Sequence, residues 1–269
     1  MSEARMQELP EPTPGTFCWV ELGTSDNEAA KSFYTQLFDW EYTDNPMGPD
    51  QGVYTILKLN GKDIGGLYKL MPDMVAQGVP PHWMSYVAVS DADATVEKAK
   101  AEGATIRSGP FDVFTMGRMA VIQDPTGAVF SIWQSKDNKG AGDYGKPGFL
   151  CWNELGTNDS EKAGQFYSNV FGWTRQQFPG SPVEYTIFNN AGDCGVGGMY
   201  TITPEMGPIP PHWLPYFAVE DCDAKVQKAT ELGGQVMKPA EDIPGVGRFA
   251  ILLDPQGAVF AIIKPAPQQ

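Results

Sequence analysis

A tandem duplication constrains this chain more than any other feature. PGTFCWVELGTSD (14–26) returns as PGFLCWNELGTND (147–159), and SFYTQLFDW (32–40) returns as QFYSNVFGW (165–173). VYTI (53–56) matches EYTI (184–187), and GGLY (65–68) matches GGMY (197–200). PPHWMSYVAVSDADA (80–94) matches PPHWLPYFAVEDCDA (210–224), and GRMAVIQDPTGAVFSI (117–132) matches GRFAILLDPQGAVFAI (247–262). The matches keep one order at a nearly constant spacing of about 130 residues, a period that means paired domains and not the short repeat of a solenoid. Each copy is long enough to bury its own core. The expected division is a polar tail at 1–13, a first domain at 14–135, a linker at 136–146 and a second domain at 147–266. The linker, KDNKGAGDYGK, is rich in glycine and charge and lacks apolar periodicity.

Within each copy a shorter rhythm appears. FCWVELG reads as a strand ending at Asp26; Ala30, Phe33, Leu37 and Phe38 then recur at helical spacing. Asp26 is placed to cap that helix, because its carboxylate can accept an unpaired backbone N–H. MSYVAVS runs into Asp91 in the same way, a second helix follows with Val96 and Ala99 on its face, and Gly103 marks its stop. Asp159 and Asp221 repeat the pattern. VYTILKL and IGGLYKL, joined by NGKD, form a hairpin; TIR, RMAVIQ and AVFSIWQ follow the second helix, with DPTG as a type I turn. The unit is strand, helix and three strands, used four times.

Composition narrows the function. Lys plus Arg number 19 against 33 Asp plus Glu, a formal net charge of −14. Such a surface repels phosphate backbones and anionic headgroups, so nucleic acid is an unfavourable partner. No apolar run reaches the ~20 residues that span a bilayer, so no membrane partner is expected. The start, MSEARMQELPEPTPG, lacks the apolar core of a signal peptide. Cys18, Cys151, Cys194 and Cys222 show neither CxxC spacing nor disulfide density. A reduced, cytoplasmic protein is the simplest reading.

Paired βαβββ units, FYxxLFxW on the first helix and DPxGAVF before the last strand together resemble the vicinal oxygen chelate superfamily, which includes glyoxalase I, bleomycin-resistance proteins, fosfomycin-resistance proteins and extradiol dioxygenases. The resemblance covers nearly all of residues 14–265. It implies an α+β fold of two tandem glyoxalase-like domains. Each would join two βαβββ units edge to edge into an open, curved mixed sheet, with helices outside and a ligand cup on the concave side. The fold hosts many chemistries, so the site must decide the activity.

The resemblance also implies a divalent metal in each cup, where it polarises substrate oxygens. The positions it assigns to ligands hold Trp19, Met84 and Ser131 in the first half, and Trp152, Leu214 and Ala261 in the second. Indole, thioether and aliphatic side chains are poor ligands for such ions. The expectation is no cofactor, with a divalent metal held by an unusual geometry as the alternative.

Strand parity places the remaining candidates. With Trp19 and Trp152 facing the cups, Glu21 and Glu154 face the same way, while Cys18, Val20 and Leu22 face the helices. Asn153 takes the helix-facing place of Val20. His82 and His212 fall near the cup rims, and Tyr54 and Tyr185 stay open as to face. A carboxylate in an apolar cup has the raised pKa of a general base, which makes Glu21 and Glu154 the candidate catalytic groups. Trp19, Trp152, Met84, Leu214, Ser131, His82 and His212 are candidate ligand contacts. Arg118 and Arg248 could clamp a carboxylate in two-pronged fashion, or pair with a structural carboxylate. The bland reading also stands: Glu21 bonds a neighbouring strand or Arg118, Trp19 fills the barrel, and each histidine bonds a backbone carbonyl. The glycine pairs Gly65–Gly66 and Gly197–Gly198 point to strand bending. Three functions follow. One is a metal-free cup protein that binds a small organic molecule. Another is a glyoxalase-like lyase or related enzyme acting on a small oxygenated metabolite. The last is a regulatory or structural protein with silent cups. A second copy of the chain is an optional partner.

Overall fold

The computed structural model describes residues 10–48, 52–179, 183–191 and 194–267. Residues 1–9 of the expected tail and the Cys194 side chain lie outside that set. In the first half, β1 (Phe17–Thr24), α1 (Asn27–Phe38), β2 (Glu41–Pro46), β3 (Val53–Leu59) and β4 (Lys62–Lys69) form one unit. A short helix, α2 (Pro72–Ala76), leads to the next unit. That unit comprises β5 (His82–Ala88), α3 (Ala92–Ala101), β6 (Thr105–Val113), β7 (Gly117–Gln123) and β8 (Val129–Ser135). The second half repeats this as β9 (Leu150–Thr157), α4 (Ser160–Phe171), β10 (Thr174–Gln177), β11 (Tyr185–Asn190), β12 (Cys194–Thr201), β13 (His212–Ala218), α5 (Cys222–Glu231), β14 (Gln235–Ile243), β15 (Gly247–Leu253) and β16 (Val259–Pro265).

Each half builds its own eight-stranded sheet, in the orders β2-β3-β4-β1-β5-β8-β7-β6 and β10-β11-β12-β9-β13-β16-β15-β14. The first strand of a unit pairs parallel with the last, and the two units meet where β1 runs antiparallel to β5 and β9 to β13. The four aspartates cap their helices as expected: Asp26, Asp91, Asp159 and Asp221 each accept a first-turn amide at 2.9–3.1 Å. Asn60 and Gly61, both at positive φ, make the tight turn between β3 and β4. Among the described residues no helix is long and apolar enough to cross a membrane.

The helices lie on the face of each sheet away from the cup, and there the two halves meet. One apolar core runs through both, containing Val20, Leu22, Phe33 and Trp83 from the first half and Phe166, Trp173, Trp213 and Phe217 from the second. The repeated motifs hold this junction. Tyr34 of α1 donates to Asp254 Oδ2 of the opposite DPxG turn at 2.9 Å, and Tyr167 of α4 donates to Asp124 Oδ2 at 2.9 Å. Trp83 and Trp213 donate to those same phenols at 2.9 and 2.8 Å. Trp40 Nε1 reaches Gly148 O at 2.9 Å, and Trp173 Nε1 reaches Gly15 O at 2.8 Å. FYxxLFxW, PPHW and DPxG are therefore largely cross-half fastenings. Asn153, helix-facing as expected, accepts from Ser85 Oγ at 2.6 Å across the same junction.

One parity assignment fails. Cys18 packs with Trp19, Tyr86 and Trp133 on the cup side, while Phe17 enters the shared core. The pairing of β1 with β5 slips between Phe17 and Trp19. That bulge inserts one residue and puts Cys18 and Trp19 on the same side. Cys151 likewise packs beside Trp152, Leu214 and Tyr216. Neither cysteine holds a helix.

Candidate ligand-binding cups

Each cup centres on a carboxylate ringed by phenols. Glu21 stands on β1 opposite Met84 of β5 and Gly66 of β4. Tyr54 donates to Glu21 Oε2 at 2.7 Å and receives Trp19 Nε1 at 3.3 Å. In the second cup Tyr216 donates to Glu154 Oε1 at 2.8 Å, and Trp152 Nε1 donates to Tyr185 at 3.0 Å. Tyr86 and Tyr68 complete the first ring, and Tyr185 and Tyr200 the second.

Glycine makes this possible. Tyr54 lies on β3, one strand beyond β4, and must cross β4 to reach Glu21. It does so over Gly66, where a Cβ would come within 2.0 Å of the phenol oxygen; over Gly198 the same distance to Tyr185 is 1.9 Å. Gly65 and Gly197 approach the carbonyls of Val20 and Asn153 on the opposite face. The glycine pairs thus serve close approach on both faces more than bending. Gly66→Ala and Gly198→Ala should each cost about 1–3 kcal/mol by overpacking. Urea denaturation checks this, and a crystal structure of either variant should show the tyrosine displaced from its glutamate.

Burial raises the pKa of Glu21 and Glu154, with hydrogen bonds from Tyr54 and Tyr86 opposing it in the first cup and from Tyr216 and Tyr185 in the second. Burial, and then the adjacent carboxylate, push Tyr54, Tyr86, Tyr185 and Tyr216 well above the usual phenol range, so these rings stay protonated as donors. Because each glutamate's folded pKa exceeds its unfolded one, the linked stability is fully present below the unfolded pKa and is lost as pH rises through the folded pKa. Glu21→Gln and Glu154→Gln keep the neutral shape at every pH. Each should raise Tm at neutral pH, by about 2–4 °C for each kcal/mol recovered. The gain should fade as the pH falls through the raised folded pKa and be gone below about 4.3, the ordinary glutamate value, where the native carboxyl is itself protonated. Calorimetric scans across pH check this.

The other sequence candidates divide. Trp19 is buried and Trp152 half-buried, both in the cups, beside Met84 and Leu214 respectively. Ser131 is buried on β8 opposite Tyr86, on the cup side. His82 and His212 sit opposite Gly23 and Gly156 at the rims, with Nδ1 facing Pro80 O at 2.8 Å and Pro210 O at 2.9 Å. A carbonyl there requires Nδ1–H, which leaves Nε2 as an acceptor. Burial lowers both histidine pKa values and favours the neutral ring. Arg118 and Arg248 are not brought to the cups. Arg118 shares strand parity with Ala120 and Ile122 of the core and pairs with Asp93 at 2.6 and 2.8 Å; Arg248 pairs with Asp223 at 2.7 and 2.8 Å. Their two-pronged pairing is with helix carboxylates of this chain. The phenols other than Tyr54 and Tyr185 went unread in the sequence, although Tyr68, Tyr86, Tyr200 and Tyr216 all recur in its repeats.

The donors present do not fit a divalent metal. Each cup offers one carboxylate already held by phenols, one rim histidine with Nε2 to give, and Trp, Met, Leu, Ser or Ala elsewhere, fewer donors than the three or four such an ion takes. Among the described residues no three His, Cys, Asp or Glu side chains gather as a metal would need.

Comparison with known proteins agrees with this architecture. The model of the Glyoxalase/Bleomycin resistance protein/Dioxygenase superfamily matches residues 16–132 and again 151–262. The chain belongs to that superfamily. It is 45% identical over 255 residues to the protein named "Putative glyoxylase CFP32" of Mycobacterium tuberculosis, covering 95% of this chain and 97% of that one. It is 36% identical over 264 residues to "Anthracycline biosynthesis protein DnrV" of Streptomyces peucetius, covering 93% and 94%. Among solved structures, the Mn(II)-bound glyoxalase from Novosphingobium aromaticivorans superposes with a TM-score of 0.64 at 16% identity, covering 93% of this chain and 82% of that one. The 2,3-dioxygenase LapB from Pseudomonas sp. KL28 gives 0.64 at 11% identity, covering 96% and 95%. At such identities the superpositions speak to the fold alone.

Proposed function

We propose that this superfamily member binds a small planar organic molecule carrying a phenolic or enolic hydroxyl, without a divalent metal. The observation that carries this reading is the half-buried glutamate held by a tyrosine hydroxyl beside an indole, built twice. An aromatic wall with one polar handle selects a flat ligand with one hydroxyl to offer. A carboxylate of raised pKa can accept that proton or return it, and a neutral phenol beside it can donate to the conjugate oxyanion. The DnrV relative, named for anthracycline biosynthesis, supports a polycyclic aromatic ligand. Free thiols at Cys18, Cys151 and Cys222 accord with a cytoplasmic setting.

The test is a titration of the whole protein with a panel of hydroxylated planar aromatics, read by tryptophan fluorescence. Quenching that Trp19→Phe and Trp152→Phe together remove supports the reading. No response to any hydroxylated ring removes it. The glyoxylase name of the CFP32 relative favours a second reading, a lyase acting on a small oxygenated metabolite with Glu21 or Glu154 as base. Turnover of the methylglyoxal–glutathione adduct, with elemental analysis of the same sample, separates the two.

A further inference from the structure

We propose that the two cups have diverged: the second is the one that takes the ligand, with Lys238 supplying positive charge for its oxyanion, and the first has its indole wall covered by the chain's own connector. This rests on the reading of the cups as sites for a hydroxylated planar molecule.

The connector is not a free spacer. Ala141 packs into the first cup's cluster beside Cys18 and Trp19, and its N–H donates to Cys18 O at 2.8 Å. Gly140, at φ +97°, passes so close that a Cβ would lie 2.5 Å from that same carbonyl. Trp133 Nε1 donates to Asn138 O at 3.0 Å, and Gly142 N to Asp63 O at 2.7 Å. Lys62 pairs with Asp143 at 2.7 Å, and Glu11 bonds both Ser135 and Lys139. Beneath this strap Trp19 is 5% exposed and Cys18 7%. Their counterparts Trp152 and Cys151 are half-buried, although Tyr144 of the same connector lies near Cys151.

The second cup also gains a charge. Lys238 of β14 stands opposite Ile251, where the first half has Ser108 opposite Val121. Its ammonium lies 5.0 Å from the centre of the Phe249 ring, which lines the second cup with Tyr216, and it pairs with Glu241 at 2.7 Å. Lys238 also acts on Glu154, lowering its pKa against the larger effect of burial. The matching positions of the first cup hold Ser108 in place of Lys238 and Met119 in place of Phe249. A cation beside a protonated-phenol ring is what a phenolate or enolate ligand needs.

Two measurements test this on the whole chain. Hydroxyl-radical footprinting read by mass spectrometry should oxidise the Trp152 peptide several-fold faster than the Trp19 peptide, and Gly140→Ala, which lifts the strap, should narrow the gap. Equal rates in the unaltered protein would overturn the covering. Alizarin, a coloured hydroxyanthraquinone whose spectrum reports its ionisation, should bind at one equivalent per chain. Lys238→Met should weaken that binding by about tenfold or more and raise the pH at which the bound dye ionises. Two equivalents of equal affinity, or a dye insensitive to Lys238→Met, would overturn the assignment while leaving the proposed function intact. No binding of alizarin at all would instead remove the proposed function for this ligand class and, with it, the role given to Lys238; the footprint would still decide the covering.

Discussion

Trp40→Ala or Trp173→Ala should destabilise the whole chain by about 3–5 kcal/mol, the usual cost of emptying a large aromatic site. Trp40 is 3% exposed, stacks on Phe38 at 4.6 Å, and touches Phe217 of the other half at 5.4 Å. Trp173 is 2% exposed and meets Phe17 of the other half at 5.9 Å. Each indole also bonds a carbonyl at the start of the opposite half. The core is continuous, so unfolding should remain one transition with an unchanged denaturant slope. Replacement by phenylalanine should cost less, about 1–3 kcal/mol, reflecting chiefly the carbonyl left without its donor. Urea titration by circular dichroism checks both. Two separate transitions, only one of them shifted, would mean that the halves fold independently.

Asp124→Ala and Asp254→Ala should be comparably severe. Oδ1 of Asp124 receives the amides of Thr126, Gly127 and Ala128 at 2.8–3.0 Å, while Oδ2 receives Tyr167 from the other half. Oδ1 of Asp254 receives Gln256, Gly257 and Ala258 at 2.8–2.9 Å, while Oδ2 receives Tyr34. Alanine leaves two turn amides and one buried phenol without acceptors, because Gly127 and Gly257 still donate to the backbone carbonyl of the substituted residue at 3.1 and 3.0 Å. Hydrogen bonds to a charged group contribute about 1.5–3 kcal/mol each, so a loss of at least about 3 kcal/mol is expected. Asparagine keeps an oxygen for the amides and should lose much less. Denaturant midpoints for the four variants check the ranking. Equal losses for Ala and Asn at either site would place the energy in the charge and not in the turn.

These aspartates show where reading a sequence ends. DPTG announced a type I turn, and the turn is there. The same residue's other oxygen serves a tyrosine from the opposite half, and no local pattern encodes that. The strands with apolar alternation and the capped helices were legible, because periodicity and capping are local. Two strands escaped. Glu41–Pro46 and Thr174–Gln177 form the outer edges, are exposed throughout, and carry no alternation. Cys18 went to the wrong face because a bulge resets parity. The site was half legible: the resemblance put Trp19 in the cup and period two set Glu21 beside it, whereas the reach of Tyr54 over Gly66 depends on the register of three strands.

The most direct test of the central claim, a glutamate–tyrosine cup that needs no metal, is an alizarin titration of protein stripped with chelator, repeated with Mn(II), Zn(II) or Fe(II) added. The account predicts the same affinity and stoichiometry in all four samples, with Glu154→Gln altering the ionisation of the bound dye. Binding that appears only when a metal is restored would contradict it.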